Sequence, residues 1–192
     1  MLKKLAFLFC LPLLVSGCNT SHQIETAAVI ETVTVDSQNG QLCYTFYPLS
    51  DSDAPEGVRV PADSFEQARR LAEERYIPHL SLAKLELLLL HENVDRQTMR
   101  SDIFYISTQA SFSPVAYIAL CDSNTLKKIG ENTSAQTTAE QQILLCKQQR
   151  PEVKIDYLSV FNSYAAGNKK GFAVPYITAD KELKVSTVSI YA

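Results

Sequence analysis

Apolar and polar positions settle into a clear pattern early in the chain. Val29 to Val35 is β-branched and apolar, Ser37-Gln38-Asn39-Gly40 carries an Asn-Gly turn, and Gln41 to Tyr47 alternates with Leu42, Tyr44 and Phe46 on one side. Such a turn between two such runs predicts a β-hairpin, because its positive φ angles match the twist of the flanking strands. Ser50 to Gly57 reads as a loop and Val58 to Val60 as a short extended piece before Pro61. The period then changes to that of a helix. Phe65, Ala68, Leu71, Ala72 and Tyr76 share one helical face behind a capping-box-like Asp63 and Glu66, which predicts an amphipathic helix from Ser64 to about Arg75.

Leu80 to Leu90 is apolar enough for either state, and the alternation in Lys84-Leu85-Glu86-Leu87 favours a strand. Ile103 to Ser107, Val115 to Cys121, Val153 to Phe161, Phe172 to Ile177 and Leu183 to Tyr191 are rich in Val, Ile, Tyr and Phe, and read as further strands. Asp122 to Thr133 reads as a loop, and Thr137 with Glu140 opens a second helix reaching about Gln148. The five residues Thr178 to Glu182 are of hairpin length, so the last two strands pair antiparallel. The expected fold is α+β: a mainly antiparallel sheet of about six to eight strands, with two helices on one face or at one end.

The chain begins differently. Lys3 and Lys4 precede an eleven-residue apolar run, Leu5 to Val15, and the small residues Ser16 and Gly17, which is the three-part layout of a signal peptide. A membrane-spanning helix takes about 20 residues, so this run is too short for a permanent span. Leu14-Val15-Ser16-Gly17-Cys18 resembles the lipobox of bacterial lipoproteins. The resemblance covers only the first 18 residues and implies cleavage before Cys18, diacylglycerol on its thiol, and a fatty acyl chain such as palmitate on the new amino terminus. Several acyl chains on one residue anchor a domain stably, whereas one binds only marginally. Asn rather than Asp at position 19 implies sorting to the outer membrane, with the domain facing the periplasm. The organisation expected is residues 1–17 as a removed signal, 18–26 as a polar lipidated tether, and 27–192 as one α+β domain.

Charge and cysteine content narrow the picture further. The formal charge of −3 becomes −5 once Lys3 and Lys4 leave with the signal. A nucleic-acid partner is excluded by this balance, since phosphates demand a basic face. Cys10 is lost with the signal and Cys18 carries lipid, leaving Cys43, Cys121 and Cys146 in an oxidising compartment. One disulfide and one buried thiol account for three cysteines, with Cys121–Cys146 preferred for its short loop and Cys43–Cys121 as the alternative.

No catalytic signature is present. Gly-x-Ser-x-Gly, His-Glu-x-x-His, Cys-x-x-Cys and glycine-rich phosphate loops are all missing, and the two histidines beyond the tether, His79 and His91, sit in no recognisable motif. No cofactor or metal is expected. Asn19-Thr20-Ser21 and Asn132-Thr133-Ser134 match a glycosylation sequon by chance, given the bacterial type of signal. Tyr157, Tyr164, Tyr176 and Tyr191 fall at strand spacing and read as half-buried strand residues, or else as a contact patch on the sheet. The expectation is a noncatalytic protein-binding module anchored to the outer membrane, an envelope assembly accessory or a toxin-immunity lipoprotein. Its contact surface would be an edge strand such as Leu183 to Tyr191. The alternative is a periplasmic carrier whose sheet curves round an apolar pocket lined by Leu80, Leu82, Leu87, Leu89, Val115 and Tyr117.

Overall fold

A computed structural model describes residues 27–191 apart from 39, 51–55, 78, 110 and 168–170. The expected signal peptide, Cys18 and the 18–26 tether lie outside the described residues. The chain runs β1 (Ala28–Gln38), β2 (Gln41–Pro48), β3 (Val58–Pro61), α1 (Phe65–Arg75), β4 (Leu80–Ser81), β5 (Leu87–His91) and α2 (Arg96–Ser107). It continues through β6 (Tyr117–Cys121), α3 (Ser123–Glu131), α4 (Thr133–Gln149), α5 (Tyr157–Ala165), β7 (Phe172–Ala179) and β8 (Leu183–Ile190).

The eight strands form one sheet in the order β3-β2-β1-β5-β6-β7-β8, with the short β4 paired to the start of β1. The α+β class holds, but the sheet is mixed rather than mainly antiparallel. β1, β5, β6 and β7 are mutually parallel, and only the flanks β2, β3 and β8 run antiparallel to their neighbours. Among the described residues the helices number five, not two.

A parallel centre must be covered on both faces, and the sequence of β5 records this directly. Every residue of Leu87-Leu88-Leu89-Leu90-His91 is buried. Leu88 and Leu90 join a cluster with Val33, Val35, Tyr44, Phe46, Ile118 and Val174 beneath α1, α2 and α5. Leu87 and Leu89 face the other way, into a second cluster with Ala119, Cys121 and Ile177 beneath α3 and α4. The strand reading of Leu80 to Leu90 holds only at its two ends, Leu80–Ser81 in β4 and Leu87–Leu90 in β5; residues 82–86, with the Lys84-Leu85-Glu86 alternation, turn between them.

Two expected strands are helical. Ile103 to Ser107 is the second half of α2, where Asp95 accepts from the N–H groups of Gln97 and Thr98 and starts the helix. Met99, Asp102, Ile103 and Ile106 then share the buried face. Val153 to Phe161 runs into α5, capped by Asp156 through the Ser159 N–H at 2.8 Å, with Tyr157, Val160 and Tyr164 turned inward. In both, cap chemistry and tertiary burial outweigh the strand preference of Ile, Val and Tyr.

The expected loop 122–133 contains α3, capped by Asp122 through Thr125. The helix read from Thr137 begins earlier, at Thr133, because Asn132 supplies the cap. In α1 the cap is Ser64, accepting from Gln67 N–H, and the Gln67 side chain accepts from the Asp63 N–H at 2.7 Å. Gly40 closes the β1–β2 hairpin at φ +80°, the left-handed region that favours glycine.

Candidate functional site

The two edges of the sheet differ in a way that bears on function. β3 has four residues and ends in Pro61, which has no N–H to offer, so that edge is blunted. β8 has eight residues, no proline and one charge, Lys184. Among the described residues no strand continues the sheet beyond it.

The pairing of β7 fixes which groups β8 leaves open. Asp122 donates its N–H to Ile177 O at 3.3 Å and Lys154 donates to Ala173 O at 2.8 Å, so odd-numbered residues of β7 turn their main-chain groups away from β8. Even-numbered Phe172, Val174, Tyr176 and Thr178 face β8, opposite Ile190, Val188, Ser186 and Lys184. The N–H and C=O groups of Leu183, Val185, Thr187 and Ser189 consequently point outward. No backbone hydrogen bond among the described residues engages them.

Beside this edge lies a cleft of about 640 Å³ between the β7–β8 surface and the loop that leads from the carboxyl end of β5 into α2. Glu92, Arg96 and Met99 line one side, and Tyr176, Thr187, Val188 and Ile190 the other. Glu92 leaves the strand with its N–H bonded to Cys121 O at 3.0 Å, and its carboxylate accepts from the Tyr176 hydroxyl at 2.6 Å. Desolvation and that carboxylate both push the Tyr176 phenol pKa up. The Arg96 guanidinium lies 5.4 Å from the Tyr191 ring centroid, a cation–π distance. The cleft thus offers a tyrosine–carboxylate pair and an arginine–tyrosine pair along a strand with one open edge.

Of the four tyrosines in the expected patch, only two face this cleft region. Tyr157 and Tyr164 are buried in α5, because that segment is a helix packed on the core. Glu92 and Arg96 were not legible as site residues. Their role depends on β5 being a parallel strand, outside whose carboxyl end open sheets form crevices.

The two histidines occupy different settings. His79 is exposed beside Arg69, Gln109 and Ser111. His91 is buried, and its Nε2 lies 2.9 Å from the Ser123 hydroxyl. Its Nδ1 accepts from the Asn93 N–H at 3.2 Å, so Nε2 carries the ring proton and donates to Ser123. A base activating serine needs the opposite arrangement, with Nδ1–H held by an acid and Nε2 accepting.

Neither expected disulfide pairing is formed. Cys43, Cys121 and Cys146 are three buried, unpaired thiols on β2, β6 and α4. Cys121 and Cys146 share the second core cluster as small apolar side chains. Cys43 Sγ accepts from Arg59 Nε at 2.8 Å.

The buried carboxyl of Asp102 bridges α2 to the hairpin and to α1. Oδ2 accepts from the Tyr44 hydroxyl at 2.7 Å and Oδ1 from the Phe65 N–H at 2.9 Å. Burial pushes its pKa up to about 6 despite these donors. Glu140 is pushed up to about 7 by burial and by the neighbouring carboxylates of Glu86 and Glu31. Among the described residues no grouping of His, Cys, Asp and Glu has a geometry that could hold a metal ion.

The residues expected to line a carrier's pocket do not share a cavity. Leu80 and Leu82 belong to one core cluster, Leu87 and Leu89 to the other, and Val115 is exposed. A four-strand parallel centre with helices on both faces and an open antiparallel edge is the class that the fold defines. No family model, curated protein or solved structure matches the chain.

Proposed function

We propose that this chain is an outer-membrane lipoprotein whose periplasmic domain is a noncatalytic protein-binding module, adding an extended segment of a partner to β8. The partner is an envelope component under assembly or a toxin that the module neutralises. The open edge carries this reading: four residues of β8 present outward main-chain groups, whereas the opposite edge is short and ends in proline. Main-chain pairing of this kind supplies affinity, and pockets for alternate side chains supply specificity. The cleft beside Val188 and Ile190 is placed to take such side chains.

The test is photocrosslinking in place. A photoreactive residue at Ser186, exposed on β8, should trap one protein partner, and the same residue at Arg59 on the blunted edge should not. Thr187→Pro and Ser189→Pro each delete an outward N–H while leaving the β7–β8 ladder intact. Both should abolish the crosslink with less than about 1 kcal/mol change in stability. A partner trapped equally from Arg59, or undiminished by both prolines, would refute edge pairing.

A further inference from the structure

The parallel strands β4, β5 and β6 all begin at the end of the sheet where β1 begins, as the registers Ala28↔Leu80 and Leu87↔Tyr117 show. Ala28 is fixed there by its N–H bond to His79 O at 2.8 Å, and Leu49 by its bond to Val29 O at 2.8 Å. α1 ends at this pole, and α5 starts there, with Leu158 N–H reaching Pro114 O at 3.3 Å.

Large apolar side chains are exposed at the same pole: Leu49 at 53%, Tyr76 at 59%, Val115 at 72% and Leu158 at 49%. The other exposed large apolar residues of the described chain are Leu144 and Leu145 on α4 and Tyr191 after β8. None lies at the opposite pole, which carries the β1–β2 turn and the β7–β8 turn.

Chain length decides what covers the apolar pole. Eight residues, 19–26, separate Cys18 from Ala27. Whatever conformation they take, they span at most about 30 Å. A domain of this size is about 40 Å across. The far pole therefore cannot rest on a bilayer that holds Cys18, whereas the pole bearing Ala27 can.

We infer that the pole carrying Leu49, Tyr76, Val115 and Leu158 rests on the lipid surface into which Cys18 is anchored, with its apolar side chains entering the headgroup boundary. The inference rests on the lipoprotein reading above. It leaves the β8 edge and its cleft standing sideways from the membrane, open to a periplasmic partner.

The chain contains no tryptophan, so a single introduced one reports without background. Val115→Trp and Leu158→Trp change exposed residues, and Lys181→Trp, at the opposite pole, controls for the affinity of tryptophan itself for lipid. Each lipidated mature protein is reconstituted into vesicles of phosphatidylethanolamine and phosphatidylglycerol, with and without bromine on the acyl chains. Tryptophan at 115 and 158 should emit at shorter wavelength and lose intensity to the brominated lipid, while tryptophan at 181 should do neither. Unchanged melting of the variants establishes that the fold is retained.

Protein that floats with the vesicles while all three tryptophans stay unquenched overturns the orientation alone. Blue-shifted but unquenched emission at 115 and 158 points to a second copy covering the pole, and overturns it too. Protein that carries no acyl mass on Cys18 and does not float overturns the anchor, and the orientation with it.

Discussion

Replacing Asp102 tests the packing logic of the domain through one buried carboxyl. The group is 3% exposed and accepts two hydrogen bonds, from Tyr44 and from the first N–H of α1. Asp102→Ala would leave both donors buried without an acceptor. Each such orphan costs about 1–3 kcal/mol, so a loss of about 2–6 kcal/mol is expected, a large share of a typical domain's stability. Asp102→Asn keeps the shape and an acceptor for the Phe65 N–H, but cannot ionise.

The Asn variant separates hydrogen bonding from charge. The folded-state pKa of Asp102, about 6, lies above its ordinary value of 3.8, so the folded protein binds this proton more tightly than the unfolded chain. Its contribution is full below about pH 4, falls as pH rises through about 6, and is lost above that. A separation of about 2 pH units corresponds to about 3 kcal/mol. Urea unfolding of wild type and Asp102→Asn, followed by circular dichroism across this range, gives a difference in which the other titrating groups cancel. Asn should gain on Asp by up to about 3 kcal/mol between pH 4 and 7. A difference that is flat, or that moves in favour of Asp as pH rises, would show that burial does not govern this carboxyl and would refute the reasoning.

Two further outcomes concern the cysteines. Cys18→Ser should abolish the acyl mass and the partitioning into detergent, and a variant that still carried lipid would sink the lipoprotein reading. Thiol titration of the unreduced mature domain should find three thiols, silent in the folded state and reactive once urea unfolds it. A count of one would mean that a disulfide forms after all.

The residues that spoke plainly in sequence were those whose local chemistry and burial agree. The alternating hairpin, the Ser64 to Arg75 helix and the closing pair of strands are legible because turn residues, periodicity and one-sided burial all point the same way. α2 and α5 were not. Their Ile, Phe, Val and Tyr prefer strands locally, and only the Asp95 and Asp156 caps, each a lone acidic residue among many, marked the helix starts. Missing those helices hid the parallel centre, since strands separated by a helix can lie parallel while strands joined by a turn cannot. The four leucines of β5 held the missing information, since a short, wholly apolar run is what a strand covered on both faces requires. The open edge of β8 was legible from its terminal position. The cleft beside it was not, because Glu92 and Tyr176 are 84 residues apart and meet only through the order of the strands.

The placement of β1 has a consequence for how the protein matures. β1 lies inside the sheet, with β2 on one side and β5 on the other, and its pairing with β5 joins Thr32 to Leu87 across more than fifty intervening residues. When the amino-terminal part of the chain emerges first, the β1–β2 hairpin is available early, with one long side of β1 unsatisfied and Val33 and Val35 uncovered. That side cannot close until the leucine strand has also emerged. Non-local pairings of this sort form slowly and expose adhesive intermediates. If the lipid is already attached, such an intermediate waits on a crowded membrane surface, where an adhesive strand meets its neighbours in two dimensions rather than three. The finished, well-covered centre thus conceals a folding order in which β1 stays open on one side until β5 is available to pair with it.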